Sequence, residues 1–419
     1  MNAHSDFPGF FQLTLRRGWS GGGKPVREGN PPVPRRLRIV LITAGIVLLA
    51  MAVRLPWFSF ESRDYQGFVA QWYAFIQANG GFSALRFQFA DYNVPYLYLL
   101  TILTYLPVPV LAGVKMISIL FDLLLAFYAY KLVALRYPRG WQPILAAVVV
   151  VVLPTVVVNS SMWAQCDSIY AAFGLGGVYY AVRSRPWLAC VFFGLALAFK
   201  MQIVFVLPLL AILVLLRKVP WPGLLVVPGV VLLLDGPALL AGADPGQLLS
   251  VYTNQVGSYT QLTLNAPNIY QFLDVTTSAE AFRTGGILLT GVLVLAIILV
   301  VVVRRVPMTA GRVVLLAALF AILVPFLLPA MHERYFYLAD VLSVVAAFYF
   351  PRRLWPVPVL VQFASFFSYL PFLFGGRGDD GIVVAFPWLT AAMLIALVLV
   401  GWEFGVRLKP ARTPVPVAA

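Results

Sequence analysis

A handful of short stretches hold most of the polar chemistry in this chain. Asp64 stands in Glu61-Ser62-Arg63-Asp64-Tyr65, and Asp91 in Ala90-Asp91-Tyr92-Asn93. Trp163-Ala164-Gln165-Cys166-Asp167 and Phe199-Lys200-Met201-Gln202 follow, and His332-Glu333-Arg334-Tyr335 comes late. A carboxylate among aromatics, close to the end of an apolar run, suits proton removal on a polar substrate carried by a lipid. In glycosyl transfer such a group takes the proton of an acceptor hydroxyl as the sugar leaves its phosphate. Asp64 is the first candidate for that base. Glu61 and Asp91 are rivals, and a loop Asp also serves as a solvated charge or helix cap.

The remaining stretches suit the substrate's other groups. Arg334 offers a planar donor fork to a phosphate, and His332 a further donor; the alternative is a pair of interface anchors with Glu333 neutralising Arg334. Lys200 lies among apolar residues, a costly place that a phosphate partner would offset and that snorkelling to the surface would avoid. Gln165 and Asp167 precede an apolar run, where they either orient a sugar or cap a helix. Asp91, Tyr96, Gln202 and Glu333 complete the sugar- and acceptor-binding candidates, although aromatics such as Tyr96 and Trp72 also anchor membrane interfaces. Asp64, Asp91 and Asp167 include metal-ligand types, but no spacing demands a metal and none is expected.

These residues are scattered through a very apolar sequence. The 419 residues are 61% hydrophobic and 11% charged, with a mean hydropathy of +0.88. A soluble domain of this length needs more polar surface. The composition indicates a polytopic membrane protein with helical spans, because helices satisfy their own backbone hydrogen bonds in lipid. The net charge of +14 then reads as basic cytoplasmic loops, with no nucleic acid implied. Cys166 and Cys190 are too few for a disulfide framework.

Residues 1–36 are polar, basic and rich in Gly and Pro, without the pattern of a cleavable signal, and are expected to form a disordered cytoplasmic tail. Residues 37–404 form the membrane domain, and 405–419 a second cytoplasmic tail. Arg35, Arg36 and Arg38 before the first span place the N-terminus inside. A first outer loop then covers 58–113 and a second 241–284. Within the first, Phe68, Trp72, Phe75 and Ile76 share one face of a helix lying in the interface plane, and Asn79-Gly80-Gly81 ends it. Residues 94–112 are long enough to span but carry Pro95, Pro107 and Pro109. If they stay in the outer leaflet, about twelve spans result. Only Arg54, Arg63, Arg86, Lys115, Lys200, Arg283, Arg334 and Arg377 among the 30 Lys and Arg then fall outside. That arrangement gathers Asp64, Gln165, Asp167, Lys200 and Arg334 at one membrane face. Asp122, inside the second span, is expected to pair with a polar neighbour.

Taken in this order, the features resemble polyprenyl-phosphate-sugar-dependent glycosyltransferases of the GT-C fold, and in particular bacterial mannosyltransferases related to the PIG-V enzyme of GPI-anchor assembly. The resemblance rests on Asp64-Tyr65 with Trp72, on Tyr92-Asn93-Val94-Pro95-Tyr96-Leu97-Tyr98, on Trp163-Ala164-Gln165-Cys166-Asp167-Ser168 with Lys200-Met201-Gln202, and on His332-Glu333-Arg334-Tyr335-Phe336. It covers residues from about 40 to 350. Ala164 departs slightly, standing where the family often has Gly or another small residue. The resemblance implies an all-α fold with in-plane helices over an external active site. It implies a polyprenyl-phosphate hexose donor, mannose first, and inversion at the anomeric carbon. It assigns the base to Asp64 and the donor phosphate to Lys200, His332 and Arg334, with a glycan, lipid or protein as acceptor. No cofactor is implied, since the lipid-linked sugar is a substrate. A secondary transporter is the alternative; it calls for repeated halves and a midplane polar site, and no repeat is visible.

Overall fold

The computed structural model describes residues 34–257, 259–273, 279–374 and 384–408. Most of the expected N-terminal tail, the segment with Arg377, Asp379 and Asp380, and nearly all of the C-terminal tail lie outside the described residues. Residues 1–43 and 44–419 form separate compact units; described residues of the first hold only the opening turns of a helix.

Among the described residues the chain is almost wholly helical. Its helices are α1 (Arg35–Ala52), α2 (Ala70–Ala78), α3 (Val94–Leu103), α4 (Val110–Arg136), α5 (Gln142–Val152), α6 (Pro154–Val157), α7 (Asp167–Val182), α8 (Pro186–Phe199) and α9 (Leu207–Leu215). They continue with α10 (Gly223–Leu240), α11 (Pro245–Gly257), α12 (Ala279–Val303), α13 (Ala310–Leu327), α14 (Tyr337–Tyr349), α15 (Pro351–Leu354), α16 (Pro356–Phe374) and α17 (Phe386–Arg407). Two two-residue strands, β1 (Thr263–Leu264) and β2 (Met331–His332), pair in parallel.

Seven of these helices are long and apolar enough to cross a membrane, and the pair 142–152 and 154–162, bent by 50°, makes an eighth if counted as one span. This is an all-α membrane protein. The other expected crossings coincide with shorter helices, α7, α8, α9 with the 3-10 turn before it, and α14. Pro154 explains the bend. It removes a backbone donor and pushes Leu153 out of the helical region, to ψ 129°. Another break falls at Lys200, which is extended between α8 and the 3-10 turn Met201–Val206.

No single helix covers the stretch from 94 to 112. α3 has 10 residues, about 15 Å of helix, half of a bilayer's apolar thickness. The chain then turns and enters α4. α2 forms where its apolar spacing places it, and Asn79 with Gly80 at φ 78° ends it. Its buried face differs in part from the expected one. Trp72, Tyr73 and Ile76 are buried, while Phe68 is exposed on the π-helical turn (Tyr65–Val69) that precedes α2. That wider turn shifts the phase between Phe68 and the helix.

α13 lies at the centre, with 83% of its apolar window buried, whereas α12 has 17% and offers a nearly continuous apolar surface suited to lipid. One buried ion pair ties the bundle together. Arg54, expected at the outer surface, is fully buried and donates to Asp122 on α4 at 2.8 Å and to the carbonyls of Ala50 and Val151. Asp122 thus has the polar partner that its place in an apolar helix requires.

Candidate functional site

The segments 63–72 and 88–96, the turn at 164–166, the break at 199–202, residues 251–265 and the turn at 332–335 enclose a two-lobed cavity. The larger lobe, 620 Å³, is walled by Asp64, Trp72, Tyr96, Gln165 and Glu333 among others. The smaller, 370 Å³, is walled by Lys200, Gln202, Asn254 and Gln255 among others. Asp91, Tyr92, Tyr259, His332 and Arg334 line both lobes and form the partition.

Asp64 is mostly buried and held from one side. Its Oδ2 accepts from Trp163 Nε1 at 3.0 Å and from Gln165 Nε2 at 2.6 Å, and lies 3.6 Å from an Arg334 terminal nitrogen. Oδ1 takes none of these contacts. A carboxylate gripped through one oxygen has a defined direction for the other, which a positioned proton acceptor needs. Gln165 links the group, because its Oε1 accepts from Arg334 at 2.7 Å and from the Tyr92 hydroxyl at 3.2 Å.

Local folding explains how these residues meet. The bent helix after α5 ends at Trp163, and Ala164 follows in the left-handed conformation at φ 62°. The Gln165 N–H returns to the Asn159 carbonyl at 2.9 Å, closing the helix end. This reversal brings Trp163 and Gln165 onto the same oxygen of Asp64. Only glycine adopts such a φ without steric cost, so a small residue at position 164 has a physical reason.

α4 holds both halves in place. Lys115 is fully buried and donates to the carbonyls of Trp57, Phe58 and Phe60 at 2.8, 3.0 and 2.7 Å. It thereby fixes the chain leading to Asp64. Ser62 Oγ donates to the Trp163 carbonyl at 2.6 Å, and Ser118 Oγ to the Gln165 carbonyl at 2.7 Å.

Lys200 is largely buried and paired. It donates to Asp167 Oδ1, whose Oδ2 accepts from Asn159 Nδ2 at 2.7 Å, and its ammonium lies 5.2 Å from the centre of the Tyr92 ring. Lys200 reaches the cavity wall, whereas Asp167 sits behind it as counterion and lines neither lobe. Gln202 faces the smaller lobe with its buried Oε1 unpartnered. Asp91 is exposed on the partition, and its backbone carbonyl accepts from Gln255 at 3.1 Å. Tyr96 is buried beside Tyr92, ring centres 5.4 Å apart.

His332, Glu333 and Arg334 leave the strand pair β1–β2 and enter a 3-10 turn. Burial, then the positive charges of Arg334 and Lys200, push the His332 imidazole down to about 3. It is therefore a neutral donor, and its 3.9 Å approach to Glu333 is no ion pair. Glu333 is 2% exposed, and burial, with a smaller push from Asp64, raises its carboxyl to about 7 against the pull of Arg334. Its Oε1 faces Arg334 Nε at 3.5 Å, yet both atoms lack a hydrogen-bond partner. The two attract without the directionality of a hydrogen bond.

Residues outside the expected set also contribute. Trp163 holds Asp64 directly, Tyr92 divides the lobes, Asn159 and Lys115 anchor from behind, and Tyr259 packs its ring on His332 at 4.8 Å. The rarity of charge inside apolar runs marks Lys115 in the sequence; nothing local marks its carbonyl partners. Among the described residues no cluster of three His, Cys, Asp or Glu offers a metal site. No family model matches the chain, and no curated protein matches it.

Proposed function

We propose that this protein is a membrane glycosyltransferase that moves a hexose, mannose first, from a polyprenyl phosphate to an acceptor hydroxyl. The observation that carries the reading is the one-sided grip on Asp64 at the wall of a cavity whose partition holds Arg334. In this reading the shorter helices α7, α8, α9 and α14 complete a bundle of about twelve crossings. The cavity opens at the outer face, and both termini are inside.

The donor's isoprenoid stays in the bilayer while its phosphate lies against Arg334, with His332 as neutral donor and Lys200 nearby. Asp64 takes the proton from the acceptor hydroxyl. The acceptor oxygen bonds to the anomeric carbon as the bond from that carbon to the phosphate oxygen breaks on the opposite face. The electron pair leaves on polyprenyl phosphate, and the configuration inverts. Paired charge at the departing phosphate lowers the barrier without an added acid. Gln202 Oε1, lacking a partner, suits a sugar hydroxyl donor.

The test is transfer from radiolabelled polyprenyl-phosphate mannose in membranes holding the wild-type chain, against membranes without it. Labelled product above background supports the reading. If mannose, glucose and pentose donors all give none, the reading fails and the secondary transporter, which the bent span at Pro154 would suit, comes forward.

A further inference from the structure

The far end of the bundle carries a second pocket that takes no part in the proposed transfer. α4 has 27 residues and runs about 40 Å from the neighbourhood of Asp64 to Arg136. There the ends of α4, α14, α15 and α17 and the start of α13 enclose 740 Å³. Five arginines line it, Arg136, Arg312, Arg352, Arg353 and Arg407, against a single carboxylate, Glu403.

The arrangement is built rather than incidental. Glu403 is buried and binds Arg353 at 3.0 Å and Arg407 at 2.6 Å. The Arg407 guanidinium lies 4.1 Å from the centre of the Phe350 ring. Arg312 donates to the carbonyls of Pro307 and Arg407 at 2.9 and 2.7 Å. One carboxylate thus orients two guanidinium groups and backbone carbonyls orient a third. Among the described residues Arg136 and Arg352 meet no carboxylate. The pocket's formal charge is +4, from five arginines less one glutamate, and that concentration calls for an anion.

The surroundings indicate which anion. Trp141, Trp187, Trp221, Trp355 and Trp402 are all exposed, and each lies within a few residues of a basic group at this same end of the bundle. Exposed tryptophans at helix ends sit at the headgroup level of a bilayer. A basic pocket between helix ends at that level has the chemistry of an anionic lipid site. The sequence after α17 adds Lys409 and Arg412.

We propose that this pocket binds the phosphate headgroup of an anionic phospholipid, held by Arg136 and Arg352 together with the arginines that Glu403 and the backbone carbonyls orient. The test is native mass spectrometry of the full chain in neutral detergent, titrated with phosphatidylglycerol, phosphatidylcholine or inorganic phosphate. Phosphatidylglycerol should bind at least about tenfold tighter than phosphatidylcholine. R136Q/R352Q should lose about tenfold in phosphatidylglycerol affinity. R183Q/R185Q, which removes two exposed arginines at the same end but outside the pocket, should lose little. Thermal unfolding of both variants should match wild type, because neither pair holds a carboxylate. Equal affinity for the two lipids, or equal loss in both variants, would overturn the site. Displacement of the lipid by millimolar inorganic phosphate would make it a soluble-anion site and overturn the lipid assignment.

Discussion

The two ends of the bundle handle charge in opposite ways. Around Asp64 the charges are buried and of mixed sign: Asp64, Asp167 and Glu333 against Lys200 and Arg334. At the Arg136 end they are mostly exposed and almost all positive, with Glu403 the buried exception. Both ends use the same backbone device, a left-handed residue that stops a helix. At the basic end Ser184, Arg217 and Arg305 do this, and the chain simply turns. Near Asp64 it is Ala164, and the residues on either side both reach Asp64. Burial therefore turns an ordinary helix stop into a device for aiming side chains, because a buried polar group left without a partner is costly. The exposed end has no such requirement, since water satisfies what the protein leaves open.

That difference predicts unequal sensitivity to substitution. Arg334→Gln should have the largest effect on stability, since it leaves Asp64 and Glu333 without their cation in a mostly buried site. We expect about 3 kcal/mol lost in stability and transfer lowered by about 100-fold or more, read by thermal unfolding and by rate. Arg352→Gln at the other end should stay within about 0.5 kcal/mol of wild type. If the two variants behave alike, the contrast between the ends is wrong.

Lys115→Met comes next. It removes three bonds from an ammonium to carbonyls and should cost about 2–3 kcal/mol, measured by denaturation in a fixed detergent. Transfer should fall with it, because the segment leading to Asp64 loses its anchor. Unchanged stability would mean that the carbonyls around Lys115 are satisfied without it.

The pH dependence sharpens the electrostatic side. With His332 neutral, Asp64 and Asp167 balance Lys200 and Arg334, so the state of Glu333 decides whether the site is neutral or carries one negative charge. Its carboxyl is raised to about 7. Below that pH it holds a proton and the site accepts an anionic phosphate more readily; above it, repulsion grows. The donor KM should therefore rise as pH increases through about 7, and Glu333→Gln should flatten the curve. The linkage to folding has the same sign. A raised carboxyl pKa favours the folded state below the ordinary Glu range and loses that contribution as pH rises through about 7. A donor KM that improves with rising pH would contradict this account.

Ala164→Gly should have the smallest effect. It relieves the left-handed strain and raises stability by up to about 1 kcal/mol, visible as a higher unfolding midpoint with the rate preserved. A lower midpoint would show that the Ala164 methyl packs usefully despite its φ.

Much of the fold was legible in the sequence for one reason: apolar runs and the basic residues between them mark helices and their ends directly. Pro95, Pro107 and Pro109 marked 94–112 as an interrupted stretch, whereas the bend at Pro154 was not anticipated. The candidate set was legible where a polar residue stood out against an apolar background, and the structure brings Asp64, Gln165, Glu333 and Arg334 together at one end. Lys200 and Asp167 were less legible, because their pairing with each other leaves only Lys200 at the wall. What stayed hidden depended on partners without a sequence signature. The carbonyls around Lys115, the β1–β2 pairing that places His332, and the Arg54 partner of Asp122 are of this kind. Phe68 was misplaced because a π-helical turn inserts an extra residue's width that no spacing rule anticipates.

The most direct measurement compares Asp64→Asn with wild type in two assays on the same preparation, donor binding and sugar transfer. Asparagine keeps the size of the side chain but cannot take the proton. The account predicts donor affinity within a few-fold of wild type and transfer reduced by about 100-fold to 10,000-fold. Transfer at the wild-type rate would contradict the central claim and move the base to Asp91 or Glu61.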